Sequence, residues 1–306
     1  MSCVFGPVPS RRLGYSLGVD IVPAKVCTLD CVYCQVGQTT LKTVDRKEWV
    51  PRENVLRDLQ EVLARDIQID FITFSGSGEP TLHAGIGQII QRIKQLCAVP
   101  VAVLTNGTLL SLPEVRADLM EADLIVPSLD AVTPAVFERI NCPHEKLRLD
   151  SIVAGLKLLR KEFRGDIWLE VMVVKGINDS REELKRIERV AREIKPDKIQ
   201  INSVSRPPAQ QGIGPADNEL LGWAGHLFGG KAEIIGEFHD SRHRSLQYDL
   251  RQRIAALVKR RPCSVKQISQ SLGAHEAEIV KHIGILLSDN SIVETVHEGE
   301  KFYKGQ

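Results

Sequence analysis

Six short apolar runs, rich in β-branched residues, alternate with longer stretches whose apolar residues recur every three or four positions. The runs are Leu17–Val22, Phe71–Phe74, Val101–Leu104, Leu124–Pro127, Ile167–Val174 and Lys198–Ile201, and Ala232–Phe238 has a similar character. Between them, Val55–Arg65, Ile86–Leu96, Leu149–Phe163 and Arg181–Ile194 have the period of amphipathic helices. Strands that are apolar at consecutive positions and separated by helices predict a parallel sheet covered by helices, with right-handed crossovers. The fold class is therefore α/β. With 306 residues, 43% of them hydrophobic, the chain can bury one large core or two smaller ones, and its composition excludes disorder, collagen and coiled coil.

From Gln247 the pattern changes, after a polar connection over His239–Gln247. Leu250–Lys259, Ser264–Leu272 and Ala274–Leu287 read as short helices, with Ser264 as an N-cap and Gly273 as a terminator. Ile292–Val296 and Lys301–Tyr303 flank His297-Glu298-Gly299-Glu300, which suits a hairpin. Three helices followed by a two-stranded wing resemble a winged-helix domain. Nine basic against seven acidic residues, with Glu276 and Glu278 opening the third helix, fit a protein contact, a bound peptide or a lid better than DNA reading. Lys259-Arg260-Arg261 is the best nucleic-acid patch in this part.

Lys+Arg 40 against Asp+Glu 39 leaves a net charge of +1, so no global field draws the chain to nucleic acid or to an anionic membrane. No apolar run approaches the roughly 20 residues that span a bilayer, and the N-terminus lacks the apolar core of a signal peptide. A cytoplasmic protein without a membrane partner is expected.

Three of the seven cysteines, Cys27, Cys31 and Cys34, fall within eight residues, just after the first apolar run. In a reducing compartment such clustering favours metal over a disulfide framework. Thiolates in C-x3-C-x2-C spacing can each take one corner of a cuboidal iron-sulfur cluster, leaving a fourth iron with an open coordination site. A structural zinc site is the alternative, but it normally needs a second cysteine pair, which the sequence lacks. Cys3, Cys97, Cys142 and Cys263 are scattered and read as small packing residues.

This motif, with Tyr33 before its last cysteine, resembles that of the radical S-adenosylmethionine (SAM) superfamily. Further matches follow successive strands. Ser75-Gly76-Ser77-Gly78-Glu79-Pro80 resembles the family's GGEP turn, Thr105-Asn106-Gly107 its TNG element, and Ser128-Leu129-Asp130 its S-L/I-D element. The resemblance implies a partial (β/α)6 TIM-like barrel over residues 1–238, and the change of pattern beyond it sets a linker over 239–246 and the winged-helix domain over 247–306. For the barrel, the resemblance also implies one [4Fe-4S] cluster on Cys27, Cys31 and Cys34, whose open iron binds SAM, and reductive cleavage of SAM to a 5′-deoxyadenosyl radical that abstracts hydrogen from a substrate. SAM contacts are expected from Tyr33, Gly76, Ser77, Gly78, Glu79, Asn106, Ser128, Glu170, Met172 and Asn202. Glu79 could instead serve its turn, and Asp130 could cap the following helix. An electron donor such as flavodoxin or ferredoxin is the implied partner.

Phe5–Gly18, Arg206-Pro-Pro-Ala209 and the Lys175-Gly-Ile-Asn-Asp179 turn look like the group that includes wyosine synthases, which rebuild a guanine in transfer RNA. Wyosine synthases carry extra N-terminal cysteines for a second cluster, and here Cys3 stands alone upstream of the motif. RNA, a peptide or protein, or a small molecule are the substrate classes; a modified-base, wyosine-like reaction on RNA is the first reading, and a peptide-modifying or glycyl-radical-activating enzyme the second. An iron-sulfur regulator acting through the winged helix is a third, but it leaves the SAM-like turns without a purpose. Arg11 and Arg12 either recognise a substrate phosphate or carboxylate or pair with acidic neighbours.

Overall fold

The computed structural model describes residues 3–65, 67–235, 250–274 and 276–306. Each of the six apolar runs overlaps a strand. In chain order the strands are β1 (Val4–Ser10), β2 (Gly14–Val19), β3 (Val26–Cys27), β4 (Leu41–Lys42), β5 (Phe71–Phe74), β6 (Val101–Thr105), β7 (Leu124–Pro127), β8 (Asp166–Val173), β9 (Lys198–Ser203), β10 (Ala232–Ile234), β11 (Ile292–His297) and β12 (Glu300–Gly305). The helices are α1 (Arg52–Leu63), α2 (Ile86–Leu96), α3 (Pro113–Asp118), α4 (Pro134–Asn141), α5 (Leu149–Glu162), α6 (Arg181–Ile194), α7 (Asn218–Phe228), α8 (Leu250–Arg260), α9 (Val265–Leu272) and α10 (Glu276–Ser288).

Eight strands form one sheet in the order β1-β2-β5-β6-β7-β8-β9-β10. From β2 to β10 every neighbouring pair is parallel, while β1 runs antiparallel to β2. The expected α/β class with a mostly parallel sheet is what forms. The strand β1 is an addition to it, since Pro7 and Pro9 interrupt the sequence signal, and an edge strand tolerates them. The short β10 lies within the run Ala232–Phe238, whose last residues, 236–238, fall outside the described residues, as does the linker over 239–246.

Burial follows the pleat. On β8, Ile167, Leu169, Val171 and Val173 are fully buried, and the alternate residues Trp168, Glu170 and Met172 share the opposite, inner face. Near the strand starts an inner apolar plug of Leu13, Ala102, Leu124 and Val126 fills the sheet's concave side. Polar space is left only nearer the strands' C-terminal ends, where ligands bind in such sheets.

The helices α8, α9 and α10 and the antiparallel hairpin β11–β12 enclose a second core that includes Ile254, Leu257, Ile268, Ile279, Ile283 and Ile292. Ser264 and Gln267 form a reciprocal capping box on α9, and Gly273 ends that helix in the left-handed conformation. The hairpin turns on Glu298 and Gly299, both at positive φ as a tight two-residue turn requires. Val8 of β1 is buried in this second core with Phe5 against it, whereas Val4 of the same strand belongs to the first core. Among the described residues no helix is long and apolar enough to cross a membrane.

Candidate active site

A cavity of about 360 Å3 opens at the C-terminal ends of the parallel strands, and Cys27, Cys31 and Cys34 all line it. They sit on the loop that leaves β2, and that loop is held from two sides. Asp30 and Val32 donate backbone N–H to Asn141 O and Ile140 O at 3.0 Å, at the end of α4. On the other side Glu79 N donates to Val26 O at 3.1 Å and Lys25 N to Ser77 O at 2.8 Å. That approach is why Gly78 must be glycine: a Cβ there would lie 2.1 Å from Val26 O.

The turn after β5 is organised by Glu79, which is 2% exposed. One carboxylate oxygen accepts from Thr81 N at 3.0 Å, Thr81 Oγ1 at 2.6 Å and Thr105 Oγ1 at 2.6 Å; the other accepts from Asn106 N at 2.7 Å. Glu79 therefore serves the turn and, through Asn106, the end of β6. Burial pushes its proton affinity up, against the pull of these hydrogen bonds. Asp130, also buried, accepts from Tyr33 Oη, Asn141 Nδ2 and Met172 N. Burial raises its pKa to about 6 despite the bonds from Tyr33 and Asn141. Its role is to tie β7 to β8 and to the cysteine loop, not to cap α4. The Lys175–Asp179 turn is structural too: Asn178 donates to Asp130 O and Met172 O and accepts from Val174 N, at 2.7 Å each.

Two side-chain amides reach the sulfurs. Asn106 Nδ2 lies 3.5 Å from Cys27 Sγ and Asn141 Nδ2 lies 3.3 Å from Cys31 Sγ. Burial, with the charge of Glu79 added, pushes the Cys27 thiol up to about 12, and burial with Asp130 holds Cys31 well above its usual value. Such thiols keep their protons until a metal's charge replaces them. Lys25 Nζ is buried without a hydrogen-bond partner among the described residues; burial lowers its pKa, and Cys34, Asp30 and Cys27 oppose that. It is a cation in place to balance thiolate charge. Among the described residues no three His, Cys, Asp or Glu side chains converge on a single metal ion. A cuboidal cluster needs no such convergence, because each thiolate takes a different iron. The donor set and its orphan cation fit the cluster.

The opposite wall is basic. Arg12 pairs with Glu170 on the inner face of β8, and Asn202 Nδ2 donates to the same carboxylate at 3.1 Å. Burial alone would raise the pKa of Glu170, but the Arg12 charge and hydrogen bond hold it below the usual value. Arg11 donates to Ser205 Oγ at 3.0 Å. Arg206, after β9, donates to Gln35 Oε1 of the cysteine loop at 2.8 Å and to Gln267 Oε1 of α9 at 3.4 Å. Arg260 and Arg261, from the end of α8, line the same cavity, with Arg260 stacked 4.2 Å over the Phe5 ring.

Of the residues singled out in the sequence, Tyr33, Gly76, Gly78, Glu79, Asn106, Ser128, Glu170, Met172 and Asn202 line this cavity with the three cysteines. Ser77 does not: its N–H and hydroxyl turn to Asp20, at 3.2 and 2.7 Å. Asn141, Lys25 and Gln35 have no sequence signal of their own, while Arg261, singled out only as part of the Lys259–Arg261 basic triplet, lines the cavity. Of the scattered cysteines, Cys263 is buried and Cys3, Cys97 and Cys142 are partly exposed.

Residues 21–187 match the family model described as Radical SAM superfamily. A protein of Brachyspira hyodysenteriae named GTPase Obg is 34% identical over 98% of this chain, which spans only 45% of that relative's length. A UPF0026 protein of Synechocystis is 37% identical over 73% of this chain and 81% of its own. Among solved structures, TYW1 with a bound lysine-pyruvate adduct shares the fold at a TM-score of 0.53 and 17% identity, over 74% of this chain and 76% of that one. Membership of the superfamily makes the protein an enzyme of this type and implies a [4Fe-4S] cluster and SAM. The chain belongs to the radical SAM superfamily and to the UPF0026 proteins.

Proposed function

We propose that the chain cleaves SAM reductively and uses the product to abstract hydrogen from a substrate at the cavity mouth. The observation that carries this reading is the meeting of Cys27, Cys31 and Cys34 with Gly76, Gly78, Asn106 and Ser128 around one cavity. A [4Fe-4S] cluster held there would pass one electron to the SAM sulfonium, releasing methionine and a 5′-deoxyadenosyl radical. Cys27, Cys31 and Cys34 would be the residues that hold the cluster. Gly76 and Gly78 let backbone approach the SAM amino group, Asn106 and Ser128 hold its methionine and ribose parts, and Tyr33, Met172 and Asn202 flank it. Glu79 and Asp130 position these groups, while Glu170 meets the ribose with its charge balanced by Arg12.

The described residues up to 235 form the partial barrel and those from 250 onward a winged-helix domain. Its α8 and α9 reach the mouth through Arg260, Arg261 and Gln267, which supports a role as a cover that excludes water and oxygen. This favours the lid over a DNA reader. The electron comes from a flavodoxin- or ferredoxin-type donor in the cytoplasm.

The test is anaerobic reconstitution with iron and sulfide, followed by dithionite and SAM. Wild-type protein is expected to produce 5′-deoxyadenosine and Cys31→Ala to produce none. Equal yields from the two would sink the reading.

A further inference from the structure

The cavity's charge is lopsided in a way SAM does not explain. Five arginines line it, Arg11, Arg12, Arg206, Arg260 and Arg261, and among the described residues the only carboxylates that do so are Glu79 and Glu170. Glu79 is fully taken by its own turn and Glu170 is matched to Arg12. Arg11, Arg206 and Arg261 therefore face the cavity with no carboxylate partner among the described residues. The hydrogen bonds of Arg11 and Arg206 go to neutral groups, Ser205, Gln35 and Gln267. Arg206 is only 9% exposed, so its charge is not simply left to water. Burial, with the charges of Arg261 and Arg11 nearby, pulls its pKa down to about 9. Guanidiniums that repel one another in a recess stay there at a cost unless an anion joins them.

We propose that Arg11, Arg206 and Arg261 bind the phosphate or diphosphate group of a small phosphorylated substrate, and so hold it beside the reaction centre. This rests on the function proposed above. A carboxylate carries one charge and is satisfied by one bidentate arginine, whereas a phosphate or diphosphate offers the charge and the oxygens for three. The arginines lie inside a cavity, with Arg206 nearly covered, and not along an open track such as an RNA backbone follows. The three come from the β1–β2 turn, the segment after β9 and the end of α8, so the group is bound jointly by the sheet and the C-terminal helices.

The experiment is calorimetric titration of cluster-reconstituted, SAM-saturated protein, without reductant, using inorganic pyrophosphate as the probe. Succinate and a single-stranded RNA oligonucleotide serve as the other arms. Arg206→Gln risks misfolding because the residue is buried, so Arg11→Gln and Arg261→Gln are the variants of choice. Arg192→Gln, whose exposed side chain lies on α6, controls for net charge. Pyrophosphate is expected to bind at one site, at least tenfold more tightly than succinate, and to weaken about tenfold in each of the two variants but not in the control. No binding, or binding indifferent to Arg11 and Arg261, would overturn the site. RNA held more tightly than pyrophosphate through the same arginines would overturn the small-molecule class. Because SAM is not cleaved in these titrations, failure here with normal 5′-deoxyadenosine formation removes only this inference. Pyrophosphate binding without any SAM cleavage would remove the proposed reaction instead.

Discussion

The two walls of the cavity handle charge in opposite ways. On the cysteine side, the buried acids Glu79 and Asp130 are met by hydroxyls, amides and backbone N–H groups, and burial raises their proton affinity. On the other side the chain uses guanidiniums, and the one acid there, Glu170, is held low by Arg12. Neutral donors fix geometry without adding net charge, which suits a wall that receives a cofactor with charges of its own. Cations left in excess suit a wall that waits for a charge from outside.

The sharpest way to break this contrast is at the cysteines. Cys31→Ala is expected to lose cluster iron and at least about 100-fold in 5′-deoxyadenosine formation, read by iron analysis and chromatography. On the basic wall, Arg12→Gln strands the Glu170 charge and is expected to lower unfolding free energy by about 3 kcal/mol at pH 7. Because the folded pKa of Glu170 lies below its ordinary 4.5, the pair's contribution is full above that value and is lost as pH falls through the lower, folded one. The gap between wild type and variant should therefore close in acid, and urea titrations with a constant gap down to pH 3 would contradict the pairing.

On the cysteine wall, Glu79→Gln replaces an acceptor with a donor. The Thr81 and Thr105 hydroxyls can rotate away, but Asn106 N–H cannot, so a loss of about 2 kcal/mol and weaker SAM binding are expected. A variant as stable as wild type, with unchanged SAM affinity, would show that Glu79 does not organise the turn. The smallest effect belongs to Lys25→Met. Removing a cation near the sulfurs disfavours the added electron, lowering the cluster's reduction potential by on the order of 40 mV, or about 1 kcal/mol for one electron. A potentiometric titration showing no shift, or a rise, would place Lys25 outside the cluster's field.

What the sequence revealed divides along the same line. The cysteine wall is built from short local motifs, each at the end of its own strand, so spacing and glycine content expose it. Even there, orientation within a turn was hidden: Ser77 points to Asp20, while Gly76 and Gly78 on either side of it line the cavity. The basic wall is assembled from Arg11, Arg206 and Arg261, which stand out separately in the sequence, beside Arg12, in an Arg-Pro-Pro-Ala segment and in a basic triplet, but lie so far apart that nothing in it shows them meeting. Pairing was equally out of sight, since Arg12 and Glu170 lie 158 residues apart. The strand β1 escaped detection because two prolines break its alternation and because Val8 is buried by the last helices.

That last point bears on how the protein can be cut or recombined. The strand β1 contributes Val4 to one core and Val8 to the other, so the C-terminal helices cannot be removed as a passenger without baring the edge strand beside the cysteine loop. During synthesis the same strand emerges well before residues beyond 254, and it must wait for them before Val8 has anywhere to go. A graft that exchanges the helical part for that of a relative would have to bring the matching first strand with it.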